Sequence, residues 1–84
     1  MMLLKNEKEI DQLMAAVDRC RGDVLLRSTD GKEEFNLKSK LSRYIAIGEL
    51  CKDQGDRFEV FCMKRSDEGY MMSFFRDLER ARVA

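Results

Sequence analysis

The chain contains no histidine, no proline and no tryptophan. Without an imidazole side chain it cannot build a histidine general acid, a phosphohistidine or a histidine-ligated zinc site. A cysteine nucleophile would also lack the base that usually activates it. These absences predict that the protein is not an enzyme and that it holds no cofactor and no metal ion.

An excess of charge of either sign is also lacking, because 16 Lys and Arg residues balance 16 Asp and Glu residues. No overall field therefore attracts nucleic acid or an anionic membrane surface. The apolar run at residues 1–4 is too short for a signal peptide or a membrane span, and no cationic segment precedes it. We expect a cytoplasmic protein that binds neither nucleic acid nor membranes.

Cysteine is scarce, and Cys20, Cys51 and Cys62 form an odd set without CxxC spacing. Reduced and mostly buried thiols are the simplest interpretation, since a free cysteine packs as a small apolar side chain. Cys51 lies beside Lys52 near the end of a predicted helix, and it is the thiol that we expect to be exposed. A small thiol-dependent or ligand-binding protein that uses Cys51 therefore remains an alternative function.

The rest of the composition is that of an ordinary folded domain, with 44% apolar and 38% charged residues among 84. No repeat, low-complexity run or linker interrupts the chain, so residues 1–84 should form a single domain. Apolar residues recur at helical spacing in three segments, and strand-like segments lie between them.

The first helix should begin after Asn6, a good N-cap with Glu9 three residues later, and Gly22 should end it. The residues at helical spacing on its buried face are Ile10, Leu13, Met14 and Val17. The second helix should span about residues 39–50, and its inward residues should be Leu41, Tyr44, Ile45 and Leu50. Ser66 should cap the third helix, whose buried stripe should comprise Met71, Phe74, Phe75 and Leu78.

Strands are predicted at residues 2–4, 23–28, 33–37 and 57–63. The Asp30-Gly31 turn should join the second and third of these as an antiparallel hairpin. In the last strand, Phe58, Val60 and Cys62 alternate with residues of the opposite face. The element order β-α-β-β-α-β-α predicts an α+β domain with a mostly antiparallel sheet covered on one face.

Five segments carry a family resemblance: DVLL at 23–26, DGK at 30–32, FNLKS at 35–39, GD at 55–56 and FEVFC at 58–62. In this arrangement they resemble HPr, the phosphocarrier family of the bacterial sugar phosphotransferase system, over roughly residues 2–80. The resemblance implies an HPr-like open-faced β-sandwich, in which three helices cover one face of a four-stranded antiparallel sheet. That architecture agrees with the element order.

The chain departs from that family at the family's phosphorylation site. The family's phosphorylated histidine lies in a Gly-x-His-Ala-Arg-Pro segment, and residues 5–8, KNEK, occupy its place here. Phosphorelay through a phosphohistidine is therefore excluded. The function that we expect is a non-catalytic interaction or regulatory module with an unknown protein partner, acting as a monomer or a weak homodimer.

Ser39 occupies the position of the serine that a dedicated kinase phosphorylates in some HPr-like proteins. Its simplest role is to cap the second helix, although a phosphate there would lie at a helix N-terminus near Lys38 and Lys40. A serine-phosphorylated regulator of carbon metabolism, with Ser39 as its switch, is thus another alternative. In the family two apolar residues that dock on partners follow this serine, and here Lys40 replaces the first and Leu41 follows. The candidate partner-binding residues are Lys38, Lys40, Leu41 and Tyr44.

Overall fold

Three helices and three strands make up the part of the chain that the computed structural model describes, which is residues 4, 6–53 and 57–83 without the side chains of 53, 82 and 83. The elements in chain order are α1 (Glu7–Arg19), β1 (Val24–Ser28), β2 (Glu34–Asn36), α2 (Lys40–Asp53), β3 (Phe58–Cys62) and α3 (Arg65–Val83). The predicted α+β class is confirmed. Of the predicted first strand, residues 2 and 3 lie outside the described residues, and Leu4 is buried without regular structure.

The described strands form one antiparallel sheet in the order β2-β1-β3. Leu26 in the central strand lies opposite Phe35 on one side and Val60 on the other. The predicted hairpin is confirmed, and Gly31 has a φ of 76° in its turn, a conformation that favours glycine. The Asp30 carboxylate accepts the backbone N–H of Lys32 at 2.9 Å, which lowers the pKa of that carboxyl.

One face of this sheet is buried under the helices, where Val24, Leu26 and Phe58 have no exposed surface. The helix α2 contacts β2, α3 contacts β3, and α1 contacts both of these helices. On the opposite face Arg27 lies 4.8 Å from the centre of the Phe61 ring and 2.7 Å from Glu34. The alternation predicted for β3 is confirmed, since Phe58 is buried and Phe61 is exposed.

The start of α1 matches its prediction and the end does not. Asn6 Oδ1 accepts the backbone N–H of Glu9 at 3.0 Å, and the predicted apolar face of α1 is buried. The helix ends at Arg19, before Gly22, because Cys20 leaves it in an extended conformation with ψ at 144°. Gly22 does not end the helix. It leaves room for the side chain of Lys64, since a Cβ at position 22 would lie 2.7 Å from Cγ of Lys64.

Asp67 connects α3 to the segment between α1 and β1. Its two carboxylate oxygens accept the backbone N–H groups of Arg21 at 3.1 Å and Gly22 at 2.8 Å. These hydrogen bonds lower the pKa of Asp67, a residue that is only 5% exposed.

The predicted cap at Ser66 is wrong, because α3 begins at Arg65 and Ser66 lies within its first turn. The predicted stripe of α3 holds, with two residues buried and two partly buried, namely Met71, Leu78, Phe74 and Phe75.

We expect Asp67→Asn to lower the thermal unfolding midpoint by several degrees, because one charged acceptor of two backbone N–H groups is lost. A carboxyl whose pKa is lowered by folding stabilises the fold above its ordinary value of 3.8, and this stability is lost as the pH falls below it. The difference between the two proteins should therefore narrow below about pH 4, measured by circular dichroism melts across pH. Glu68→Gln, at the exposed neighbouring position, is the control; an equal loss in both variants would contradict the assignment.

Candidate functional site

The chain turns into α2 through Asn36 and Ser39. The carboxamide oxygen of Asn36 accepts the backbone N–H of Lys38 at 3.0 Å, and its carbonyl accepts that of Ser39 at 3.0 Å. Ser39 directly precedes the helix, and its carbonyl accepts the N–H of Arg43 at 2.8 Å. The residue thus lies at the predicted N-cap position. Its hydroxyl is exposed and takes part in no hydrogen bond within the described residues, so the expected capping bond by the side chain is not found.

The two lysines beside Ser39 have different environments. Lys38 is half-buried, and its ammonium group donates to the carbonyl of Cys20 at 2.7 Å. That contact connects the segment before α2 to the end of α1, and a role of Lys38 in binding a partner stays a prediction. Lys40 is exposed in the first turn of α2, where a partner could reach it.

The inward face predicted for α2 is wrong for three of its four residues. Leu41, Tyr44 and Ile45 are 77%, 75% and 57% exposed. Leu50 is fully buried as predicted, and it is joined by Ala46, which also has no exposed surface. The helix therefore packs on the sheet through the side opposite to the one that the apolar spacing suggested.

Arg43 explains why α2 packs in this orientation. Its Nε donates to the carbonyl of Leu37 at 2.8 Å, and its Nη2 lies 2.6 Å from the Asp18 carboxylate of α1. The hydrogen bond from Arg43 also lowers the pKa of Asp18. With Arg43 held on the inner side, the small Ala46 and the following Leu50 meet the core. The sequence signal was present but ambiguous, because α2 carries apolar residues on both sides.

The outward residues of α2 form one apolar row, which we call the outer stripe: Leu41, Tyr44, Ile45 and Gly48. Their i, i+3, i+4, i+7 spacing places them on one face of the helix. Exposed Lys40 and Lys52 lie towards the two ends of this row. No atom of the described residues lies within 4 Å of the position of a Cβ at Gly48, so this end of the stripe is open.

A groove of about 650 Å³ lies between α1 and α3 and opens to solvent. Lys8 and Arg19 bring positive charge to its wall, and Glu9 and Asp77 bring negative charge. Buried Leu78 contributes to an apolar floor. Because the charges balance, the groove favours no particular class of ligand.

The three thiols differ in accessibility. Cys20 is buried, and its thiol donates to the carbonyl of Ala16 at 3.5 Å. Burial raises the pKa of Cys20, and burial together with the nearby Cys20 and Asp67 raises the pKa of Cys62 to about 11. Cys51 is exposed on α2, as predicted.

The described residues contain no group of three or more Cys, Asp or Glu side chains placed to hold a metal ion. Within the same residues, every helix is too short or too polar to cross a membrane.

No protein-family model, curated protein or solved structure matches the chain. The functional inference therefore depends on the geometry of α2 and on the residues that surround it.

We expect only Cys51 to react rapidly with a thiol reagent in the native protein at neutral pH. The thiolate is the reactive form. Cys20 is buried and Cys62 is partly buried, and their raised pKa values keep both thiols protonated. Quantitative labelling should thus count one fast thiol before denaturation and all three after it. Cys51→Ser should lose the fast phase, and a rapid reaction of the native variant would contradict this assignment.

Proposed function

We propose that this protein is a non-catalytic, HPr-like interaction module that binds another protein through the outer stripe of α2. The observation that carries the proposal is the exposure of Leu41, Tyr44 and Ile45 next to one another on a single helix face. Contiguous apolar patches on a folded surface mark interaction sites more often than scattered apolar residues do.

The energetics of burial support this use of the stripe. Fully burying a side chain of this kind is worth roughly 1.5–3 kcal/mol, so covering three of them provides a substantial driving force for association. Anchors at i, i+3, i+4 and i+7 are also the spacing by which helices are recognised by other proteins. The orientation of α2 adds to the argument, since Arg43 and Leu50 hold the helix with these anchors outward.

The HPr-like part of the proposal is supported by the sequence segments and by the element order that follows α1. A hairpin, a helix that starts just after Ser39, a third strand and a final helix occur in that order. The four-stranded sheet and the cytoplasmic location belong to the proposal. Without a histidine, an HPr-like scaffold cannot transfer a phosphoryl group through a phosphohistidine, and protein binding is the function that it retains.

We expect Leu41→Glu and Ile45→Glu to reduce capture of the partner at least about tenfold, since a carboxylate in the centre of an apolar contact is desolvated on binding. The measurement is a quantitative pull-down from the native cell with the purified full chain as bait. Both variants should unfold at the wild-type midpoint, because the replaced side chains are exposed.

Met72→Glu is the matched control for these variants. Met72 is 65% exposed on α3, away from the outer stripe, so its replacement should leave capture unchanged. Capture of the same proteins in the same amounts by Leu41→Glu, Ile45→Glu and the wild type would refute binding through the stripe.

A second candidate function is regulation by phosphorylation of Ser39, which one observation favours. The hydroxyl is exposed at the start of a 14-residue helix and takes part in no hydrogen bond among the described residues. A phosphate there would carry a charge of about −1.5 to −2 and would lie beside the first residues of the outer stripe. Modification would thereby change the charge that a partner meets at the stripe.

Mass spectrometry of the protein from its native cells tests this candidate. We expect a phosphate on Ser39 under some carbon sources and none on Ser28, which is buried in β1. Ser66 and Ser73, which are exposed on α3, serve as controls for non-selective modification. Ser39 without phosphate under every carbon source, with high peptide coverage, would rule the switch out.

A further inference from the structure

We propose that one partner of the outer stripe is a second copy of this chain, and that the two α2 helices pack antiparallel about a two-fold axis beside Tyr44 and Ile45. This inference rests on the proposed function, because it uses the same surface. It adds the identity of the partner and the way in which the two helices cross.

The order of residues in the stripe suits a two-fold axis. Positions 41, 44, 45 and 48 are symmetric about the midpoint between 44 and 45. When two such helices lie antiparallel, Leu41 of each copy therefore faces Gly48 of the other. Tyr44 and Ile45 lie next to their own counterparts near the axis. Each contact occurs twice, as in an isologous dimer, and the large Leu41 meets the small Gly48.

Among the described residues, no contact or backbone conformation requires a glycine at position 48. The φ of Gly48 is not positive, and no atom of the described part of the chain lies within 4 Å of where its Cβ would be. Glycine in an exposed helix interior destabilises the helix relative to alanine, because its backbone loses more conformational freedom on folding. A close helix crossing uses the missing side chain, since Leu41 of a second copy can approach the backbone there.

The charges around the stripe permit this pairing. Successive residues of a helix are rotated by about 100°, which places Lys40 on one flank of the stripe and Lys52 in line with the stripe, one turn beyond Gly48. In the two-fold arrangement position 52 of one copy lies opposite position 37 of the other, so Lys40 does not face Lys52. Glu49 is already engaged, at 3.2 Å from Arg57 and 3.6 Å from Lys52.

The exposed area sets the strength of the dimer. Leu41, Tyr44 and Ile45 are each more than half exposed, and together they offer on the order of 400 Å² of mostly apolar surface per copy. Stable interfaces bury about 800 Å² per partner, so the stripe alone supports a weak dimer. We expect a dissociation constant of about 0.1–1 mM, and the dimer should form only at high protein concentration.

Sedimentation equilibrium of the full chain tests the proposal, over about 20 μM to 2 mM protein. A reducing agent is present throughout, so that a disulfide between Cys51 residues cannot produce a dimer. The mass should rise from that of the 9.8 kDa monomer towards a dimer and no further. A monomer at the highest concentration would overturn the proposal, and growth beyond two copies would overturn the two-fold arrangement.

Gly48→Leu gives the sharpest variant. Leucine is a better helix former than glycine and fits into open space, so the monomer should melt at the wild-type temperature or above it at low concentration. The same side chain blocks the approach of Leu41 from a second copy, and dimerisation should weaken at least about tenfold. A stable Gly48→Leu protein that dimerises as well as the wild type would overturn the proposed crossing.

Two further variants separate this inference from the proposed function. Ile45→Glu should abolish the dimer, whereas Met72→Glu should leave it intact. If the wild type stays monomeric and yet captures a different protein through the stripe, the second-copy proposal fails and the proposed function stands. If it dimerises but captures no other protein, the second-copy proposal is supported and binding to a different protein is refuted.

Discussion

The segment Cys20 to Gly22 is the point on which the arrangement of the helices depends. It lies between α1 and β1, and its backbone groups are satisfied by two side chains from distant parts of the chain. The carboxylate of Asp67 accepts two N–H groups, and the ammonium of Lys38 donates to the Cys20 carbonyl. Because buried backbone groups need partners, these charged contacts fix α3 and the start of α2 against the end of α1.

The exposure of the outer stripe follows from that arrangement. Lys38 fixes the entry to α2, and Arg43 then joins the helix to Leu37 and Asp18. The inner side is occupied by Arg43, Ala46 and Leu50, so Leu41, Tyr44 and Ile45 on the other side face solvent. The outer stripe, to which we assign binding, is thus exposed because these contacts turn the other side of α2 towards the core.

Features set by neighbouring residues could be predicted from the sequence, and features set by distant contacts could not. The Asn6 cap, the Asp30-Gly31 turn and the alternation in β3 each depend on residues close in the chain, and all three are confirmed. The partner of Asp67 lies 45 residues away, and no local pattern indicates it. The inward side of α2 was predicted wrongly because apolar spacing cannot choose between two apolar sets. Of the candidate site, Lys40 and Leu41 were named from the resemblance and Tyr44 was named beside them, whereas the contributions of Ile45 and Gly48 emerge only from the packing.

The orientation of α2 is the central claim, and solvent paramagnetic relaxation in dilute, methyl-labelled protein tests it most directly. A soluble paramagnetic probe should strongly broaden the methyl signals of Leu41 and Ile45, which are exposed, and spare those of Ala46 and Leu50, which are fully buried. Dilute samples keep the stripe uncovered by a second copy. Protection of Leu41 and Ile45 together with broadening of Ala46 and Leu50 would show that the helix packs through its other face, and would remove the basis for an interaction surface on α2.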